Sequence, residues 1–135
     1  MSLPDLIAAL EAAGEGSPEL DARIAVEIFE TKYSAEDLVY AREIRKDDDC
    51  ARGTYWVKSR SGASLRTAPA YTTSIDAAMT LVPAGPHVCW SIAKPTTLIP
   101  WGRVWLRETG DTLGESFAST YSLALCIAAL KARAA

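Results

Sequence analysis

Apolar residues recur along this chain with two different periods, and the change of period divides it into helical and extended parts. Leu3, Leu6, Ile7 and Leu10 line one face of a helix, and Ser2 with Asp5 forms a capping pair at its start. Gly14 and Gly16 end that helix. Ser17-Pro18-Glu19 begins a second with a cap residue, a proline at the first helical position and an acid facing the helix dipole. There Ala22, Ala25, Val26 and Phe29 form one apolar stripe and Leu20, Ile24 and Ile28 another, so burial on more than one side is expected. The stretch AYTTSIDAAMTLVP (Ala70 to Pro83) carries a capping box at Thr73 and Asp76. A short helix with Ile75, Ala78, Met79 and Val82 on one face should follow until Pro83 stops it.

The period then changes to two. Val88, Trp90 and Ile92 alternate with Cys89 and Ser91, which predicts a half-buried strand over Val88 to Ile92. Pro95 and Pro100 bound a loop, and Trp101 to Glu108 is its antiparallel partner. Gly110-Asp111 and Gly114 read as punctuation, with Glu115 to Ala118 a short additional strand. A last helix begins near Ser119 or Thr120. Leu123, Cys126, Ile127 and Leu130 form one face, while Tyr121, Leu125, Ala128 and Ala132 form a second. Lys131 and Arg133 complement the dipole in the last turn. So alanine-rich a helix should lie close against a sheet.

Residues 30–69 are less legible. Ser34 to Ile44 has the pattern of a helix capped by Ser34 with Asp37, and the run Arg45-Lys46-Asp47-Asp48-Asp49 reads as a solvated turn without the frame of a calcium loop. Thr54 to Lys58 is a strand candidate and Ser59 to Gly62 a turn, while Ser61 to Ser64 lacks a phosphate-loop frame. The sum is a single α+β domain spanning residues 1–135. A small antiparallel sheet of three to four strands is sandwiched by helices, with an N-terminal helical pair and a C-terminal helix.

Composition narrows the function classes. The chain has 135 residues, 49% hydrophobic and 23% charged, enough for one domain with a real core. A net charge of -3 and a pI near 5.1 argue against nucleic acid as a partner and against an anionic membrane surface. Cys50, Cys89 and Cys126 are an odd, widely spaced set without CxxC, as in reduced cytoplasmic thiols. The N-terminus lacks the basic region of a signal peptide, and no apolar run reaches the ~20 residues that span a bilayer, so a cytoplasmic location is expected. One histidine, His87, leaves no ligand set for a zinc site. No cofactor is implied.

The most suggestive chemistry lies on one predicted strand face, where Trp101, Arg103, Trp105 and Arg107 recur at period two. Aromatic planes alternating with guanidinium groups can stack on a ligand or clamp an anion. Alternatively, the tryptophans pack under a helical layer and the arginines snorkel to the rim. With Thr73 and Asp76 assigned to a cap, Tyr71 and Thr72 remain free to join such a site. No catalytic residue is assigned. His87 lacks a nucleophile motif, Cys89 and Cys126 sit on apolar segments, and the acid pairs Glu108 with Asp111 and Glu36 with Asp37 read as caps or solvated groups. The helix–strands–helix order of the C-terminal half suits a double-stranded-RNA-binding domain, but Ser119 to Ser122 lacks the basic helix start it needs.

Three segments carry a family resemblance: Leu6 to Ile28 with its LDARIA core, AYTTSIDAAMTLVP, and SLALCIAALKARA at Ser122 to Ala134. Together they resemble a family of small uncharacterised proteins of alphaproteobacteria and their phages, of the phage ABA-sandwich type. The resemblance covers under half the chain. It departs at Thr120-Tyr121-Ser122, where a Thr-Pro helix start would be usual, and at residues 30–69, which look like a family-variable insertion. It implies a sheet between helical layers and a phage or prophage origin, and supplies no activity. The expected function is a non-enzymatic accessory module that binds a protein partner or self-associates as a homo-oligomer. The alternative is a binder of a small nucleotide-like anion through Tyr71, Trp101, Arg103, Trp105 and Arg107. An enzyme would need His87 or a carboxylate pair in a pocket.

Overall fold

The computed structural model describes residues 2–29, 53–59, 62–94 and 99–135. Four helices and five strands run α1 (Leu3–Ala12), α2 (Pro18–Phe29), β1 (Thr54–Ser59), β2 (Gly62–Thr67), α3 (Ile75–Met79), β3 (Val88–Ala93), β4 (Trp101–Leu106), β5 (Thr112–Phe117) and α4 (Tyr121–Ala134) among these residues. The class is α+β, with an N-terminal helical pair and a C-terminal helix as expected. The expected helix over Ser34 to Ile44, the charged turn after it and Cys50 lie outside the described residues.

Local chemistry sets most of the helix ends. The Ser2 hydroxyl accepts from the Asp5 amide at 3.3 Å, and the Asp5 carboxylate accepts from the Ser2 amide, completing the capping box of α1. The Ser2 hydroxyl, donating to the Asp5 carboxylate at 2.7 Å, and then the Ser2 amide hold the Asp5 carboxyl below its usual value. The Ser17 hydroxyl accepts from the Leu20 amide at the start of α2, and Thr120 caps α4 by accepting from Leu123.

The strands form two antiparallel sheets rather than one. β1 and β2 make a two-stranded hairpin, while β3, β4 and β5 make a meander in the order β3-β4-β5. β2 was not expected as a strand. β5 is longer than expected and contains Gly114, which is a packing residue and not a turn.

α4 is the centre of the molecule. Every residue from Ser122 to Leu130 is buried, which two apolar faces predicted. One face lies on β4 and β5, and the other receives α1 and α3. Close approach to the sheet depends on two glycines opposite small helix residues. A Cβ on Gly102 would come within 2.8 Å of the Ala124 main chain, and one on Gly114 would strike the Ala128 carbonyl. Val104, directly opposite Gly114 and two residues from Gly102, is fully buried. The core therefore runs from this sheet through α4 to Leu6, Leu10, Ile24, Val26 and Leu81.

The AYTTSIDAAMTLVP stretch differs from its sequence reading in three ways. The cap of α3 is Ser74, whose hydroxyl accepts from the Ala77 amide at 3.3 Å; Thr73 is exposed. Ala78 and Leu81 are the fully buried positions, whereas Met79 is 41% exposed. Tyr71 and Thr72, left free by the earlier assignment, are both buried.

One polar node accounts for these changes. Asp21, on α2, uses Oδ1 to accept from the Thr72 amide at 2.9 Å and from the Thr72 hydroxyl at 2.8 Å. The Thr72 hydroxyl in turn accepts from the Ser17 amide at 3.0 Å. Gly16 lies so close that an added Cβ would meet the Thr72 side chain at 2.6 Å. The node pins the stretch to the start of α2 and shifts the helix that follows by one residue.

Candidate functional site

Strand alternation assigns the side chains of β4 to two environments. Gly102 and Val104 point to α4 and are buried, while Trp101, Arg103 and Trp105 point to the opposite face and are half-buried. Register extends this second face to both neighbours. Ala93, Ser91 and Cys89 of β3 lie opposite Trp101, Arg103 and Trp105; on β5 the opposite residues are Phe117, Glu115 and Thr112. An irregularity in the β4–β5 register between Val104 and Trp105 brings Thr112 opposite Trp105. Phe117 is 52% exposed. α4 is the helix that packs on this sheet, and it takes the Val104 side.

Arg103 is fixed on that surface rather than waving above it. Its Nε donates to the Thr112 hydroxyl at 2.9 Å, and Nη2 donates to the Gly110 carbonyl at 2.8 Å. Its guanidinium carbon lies 5.0 Å from the centre of the Trp105 ring, within cation–π range. Gly110 supplies the carbonyl from a turn with φ of 75°, a conformation that glycine adopts without steric cost. Among the described residues, two of the five guanidinium N–H donors are thereby used and three make no hydrogen bond.

Of the five predicted site residues, the structure brings together Trp101, Arg103 and Trp105. Arg107 lies past the end of β4, exposed, and its amide donates to the His87 carbonyl at 2.7 Å. Tyr71 is 3% exposed within the core, on the α4 side of the sheet. Sequence reading missed Phe117, Ser91, Cys89 and Thr112, whose membership depends on strand pairing. Only the exposed, alternating position of Phe117 in β5 could have pointed to it.

The other polar features serve structure. His87 Nδ1 lies 3.0 Å from Glu108 Oε1 with both side chains well exposed, a geometry worth little in free energy. Burial raises the Cys126 thiol far above the usual range, with the nearby Asp21 charge adding to the effect, so it is not a nucleophile. Asp21 is held above its usual carboxylate value by burial, against the opposing hydrogen bonds from Thr72. Arg133 Nε donates to the Leu81 carbonyl just beyond α3, and burial lowers its pKa. Of these groups, Asp21 and Cys126 are buried away from the Trp101–Trp105 face.

No family model, curated protein or solved structure matches this chain. No described helix is long and apolar enough to cross a membrane.

Proposed function

We propose that the chain is a non-enzymatic interaction module of phage or prophage accessory type, acting in the cytoplasm and engaging a protein partner through the Trp101–Arg103–Trp105–Phe117 face. The observation that carries this is the gathering of two tryptophans, a phenylalanine and a fixed arginine on the side of the sheet opposite its helix. Tryptophan and arginine dominate the residues that supply binding energy at protein interfaces, especially where their side chains are held in place before contact. Phe117, exposed at the edge of this cluster, adds apolar area that folding alone does not use.

Affinity capture from an alphaproteobacterial lysate tests the proposal with two matched variants. Phe117→Glu introduces charge on the proposed surface, and Met79→Glu does so at another exposed apolar position, on α3. Proteins retained by the wild type and by Met79→Glu, but lost with Phe117→Glu, are the expected result. Equal capture by both variants would remove the face from the interaction.

A second reading has one observation behind it. Arg103 is oriented by Thr112, Gly110 and Trp105 with three N–H groups unspent, as an anion-binding guanidinium would be. The ligand would be a small nucleotide-like anion stacked on Trp105. A thermal-shift series with nucleotides separates the readings, because ligand at 100 times its Kd adds about 2.7 kcal/mol to stability. A shift abolished by Arg103→Ala supports the anion; no shift across the series leaves the protein partner.

A further inference from the structure

The two edges of the three-stranded sheet are not treated alike. In β4–β5, Gly102 faces Ser116 and Val104 faces Gly114, and the Leu106 amide donates to the Asp111 carbonyl. The alternation of an antiparallel ladder therefore turns the main-chain groups of Glu115 away from β4. The Glu115 carbonyl does not stay open. Lys131 of α4 reaches round the edge and donates to it at 3.1 Å, with its ammonium also 3.5 Å from Glu11 of α1. A lysine laid along an edge strand is a common guard against unwanted strand pairing.

Among the described residues, β3 has no such guard. The Arg107 amide donates to the His87 carbonyl, so that pair is hydrogen-bonded, and the alternation continues through Cys89, Ser91 and Ala93. Val88, Trp90 and Ile92 consequently aim their main-chain groups outward. The Val88 amide turns back to the Gly85 carbonyl at 3.3 Å. Nothing among the described residues pairs with the outward amides and carbonyls of Trp90 and Ile92. The strand VCWSIA itself contains no charge and no proline. Its side chains on the α4 side, Val88, Trp90 and Ile92, are only partly buried, because α4 lies over β4 and β5 and touches β3 less.

We infer that β3 is a self-pairing edge: two copies of the chain join β3 to β3 in antiparallel fashion about a twofold axis at Trp90, making one six-stranded sheet. The pattern of the strand is its own complement. Trp90 meets Trp90 of the second copy, and Val88 meets Ile92, so like side chains share a face and extend the core beneath α4. Charge fits the same arrangement. The exposed Lys94 that follows β3 is carried to the His87 end of the second copy's strand, where Glu108 sits beside His87, and the twofold repeats the contact. A chance peptide strand would match the hydrogen bonds but not this symmetry. The inference goes beyond the proposed partner-binding face and does not depend on it, since the pairing uses the edge of the sheet and leaves both copies of that face pointing the same way.

Light scattering with size-exclusion chromatography reads the mass directly. The wild type is expected at twice the 14.5 kDa of one chain. Ile92→Pro removes an outward N–H at an edge, where proline is tolerated, and should give a monomer with unchanged helical circular dichroism. A second variant reads the register and does not rely on Ile92→Pro folding. With Trp90 on the axis, Cys89 lies opposite Ser91 of the second copy in a non-hydrogen-bonded pair, where Cα atoms are about 4.5 Å apart. Ser91→Cys, treated with oxidised glutathione, should therefore be trapped in high yield as a dimer that dithiothreitol releases. A wild type that stays at 14.5 kDa at every concentration overturns the inference. So does a dimer that Ser91→Cys fails to trap, or one that Phe117→Glu dissociates.

Discussion

Thr72→Val isolates the node that sets the position of the AYTTSIDAAMTLVP stretch. The substitution keeps the branched shape and removes only the hydroxyl from a fully buried site. That hydroxyl makes a 2.8 Å bond to the Asp21 carboxylate and accepts from the Ser17 amide at 3.0 Å. A hydrogen bond to a charged group contributes about 1.5–3 kcal/mol and a neutral one about 0.5–1.5 kcal/mol. Against this, the added methyl group returns about 0.8 kcal/mol of apolar burial. The expected net loss is about 1.2–3.7 kcal/mol, a large share of the ~5–15 kcal/mol that holds a domain of this kind.

The loss should also depend on pH, and its sign follows from Asp21. Burial raises the folded-state pKa of Asp21 above its unfolded value, while the Thr72 donors oppose the rise. Ionised Asp21 therefore subtracts stability; the folded state is favoured while it is protonated, and that advantage is lost as pH rises through its folded pKa. Removing one donor widens the shift. The deficit of Thr72→Val should thus be larger at neutral pH than in acid below the unfolded carboxylate range. Urea denaturation followed by circular dichroism at a series of pH values measures both quantities, with the exposed Thr73→Val as control at within about 0.5 kcal/mol of wild type. A Thr72→Val deficit under about 0.5 kcal/mol, or one that is flat with pH, would refute the assignment.

Three further pairs of substitutions probe the packing and the site. Gly102→Ala should cost about 1–3 kcal/mol or more, because its Cβ meets Ala124 backbone that cannot swing aside, whereas Gly14→Ala meets nothing and should cost under about 0.5 kcal/mol by thermal melting. Ser74→Ala should cost about 1 kcal/mol through loss of the α3 cap, measured by denaturant midpoint, and Thr73→Ala should leave that midpoint in place. Arg103→Ala releases the Thr112 and Gly110 contacts and the Trp105 ring, so about 1–2 kcal/mol and a changed tryptophan emission are expected. Arg107→Ala, at an exposed position, should change neither stability nor emission.

Features written in neighbouring residues were readable from the chain. The Ser2–Asp5 box, the start of α4 near Ser119 or Thr120, the period of two in β3 and β4, and the double apolar face of α4 each depend on side chains within a few positions of one another. What escaped depends on partners far along the chain. Nothing in the residues around Asp21 marks this first-turn acid as buried, because its hydrogen bonds come from Thr72, 51 residues later. The same bond explains why Ser74 and not Thr73 caps α3: two candidate hydroxyls stand side by side, and the buried anchor at Thr72 chooses between them. Gly114 reads as a turn until Ala128 is seen above it. The candidate face was half visible. Period two grouped Trp101, Arg103 and Trp105, but the side taken by α4 follows from Gly102 and Gly114, and Phe117 joins through pairing alone.

The proposed partner-binding role of this face is tested most directly by photo-crosslinking in living cells. A benzophenone amino acid is placed at position 117, on the face, and separately at position 79, exposed on α3. The expected result is a discrete crosslinked protein from position 117 alone, lost when Trp101→Ala is added. Crosslinks that are absent at 117, or the same from both positions, would contradict it.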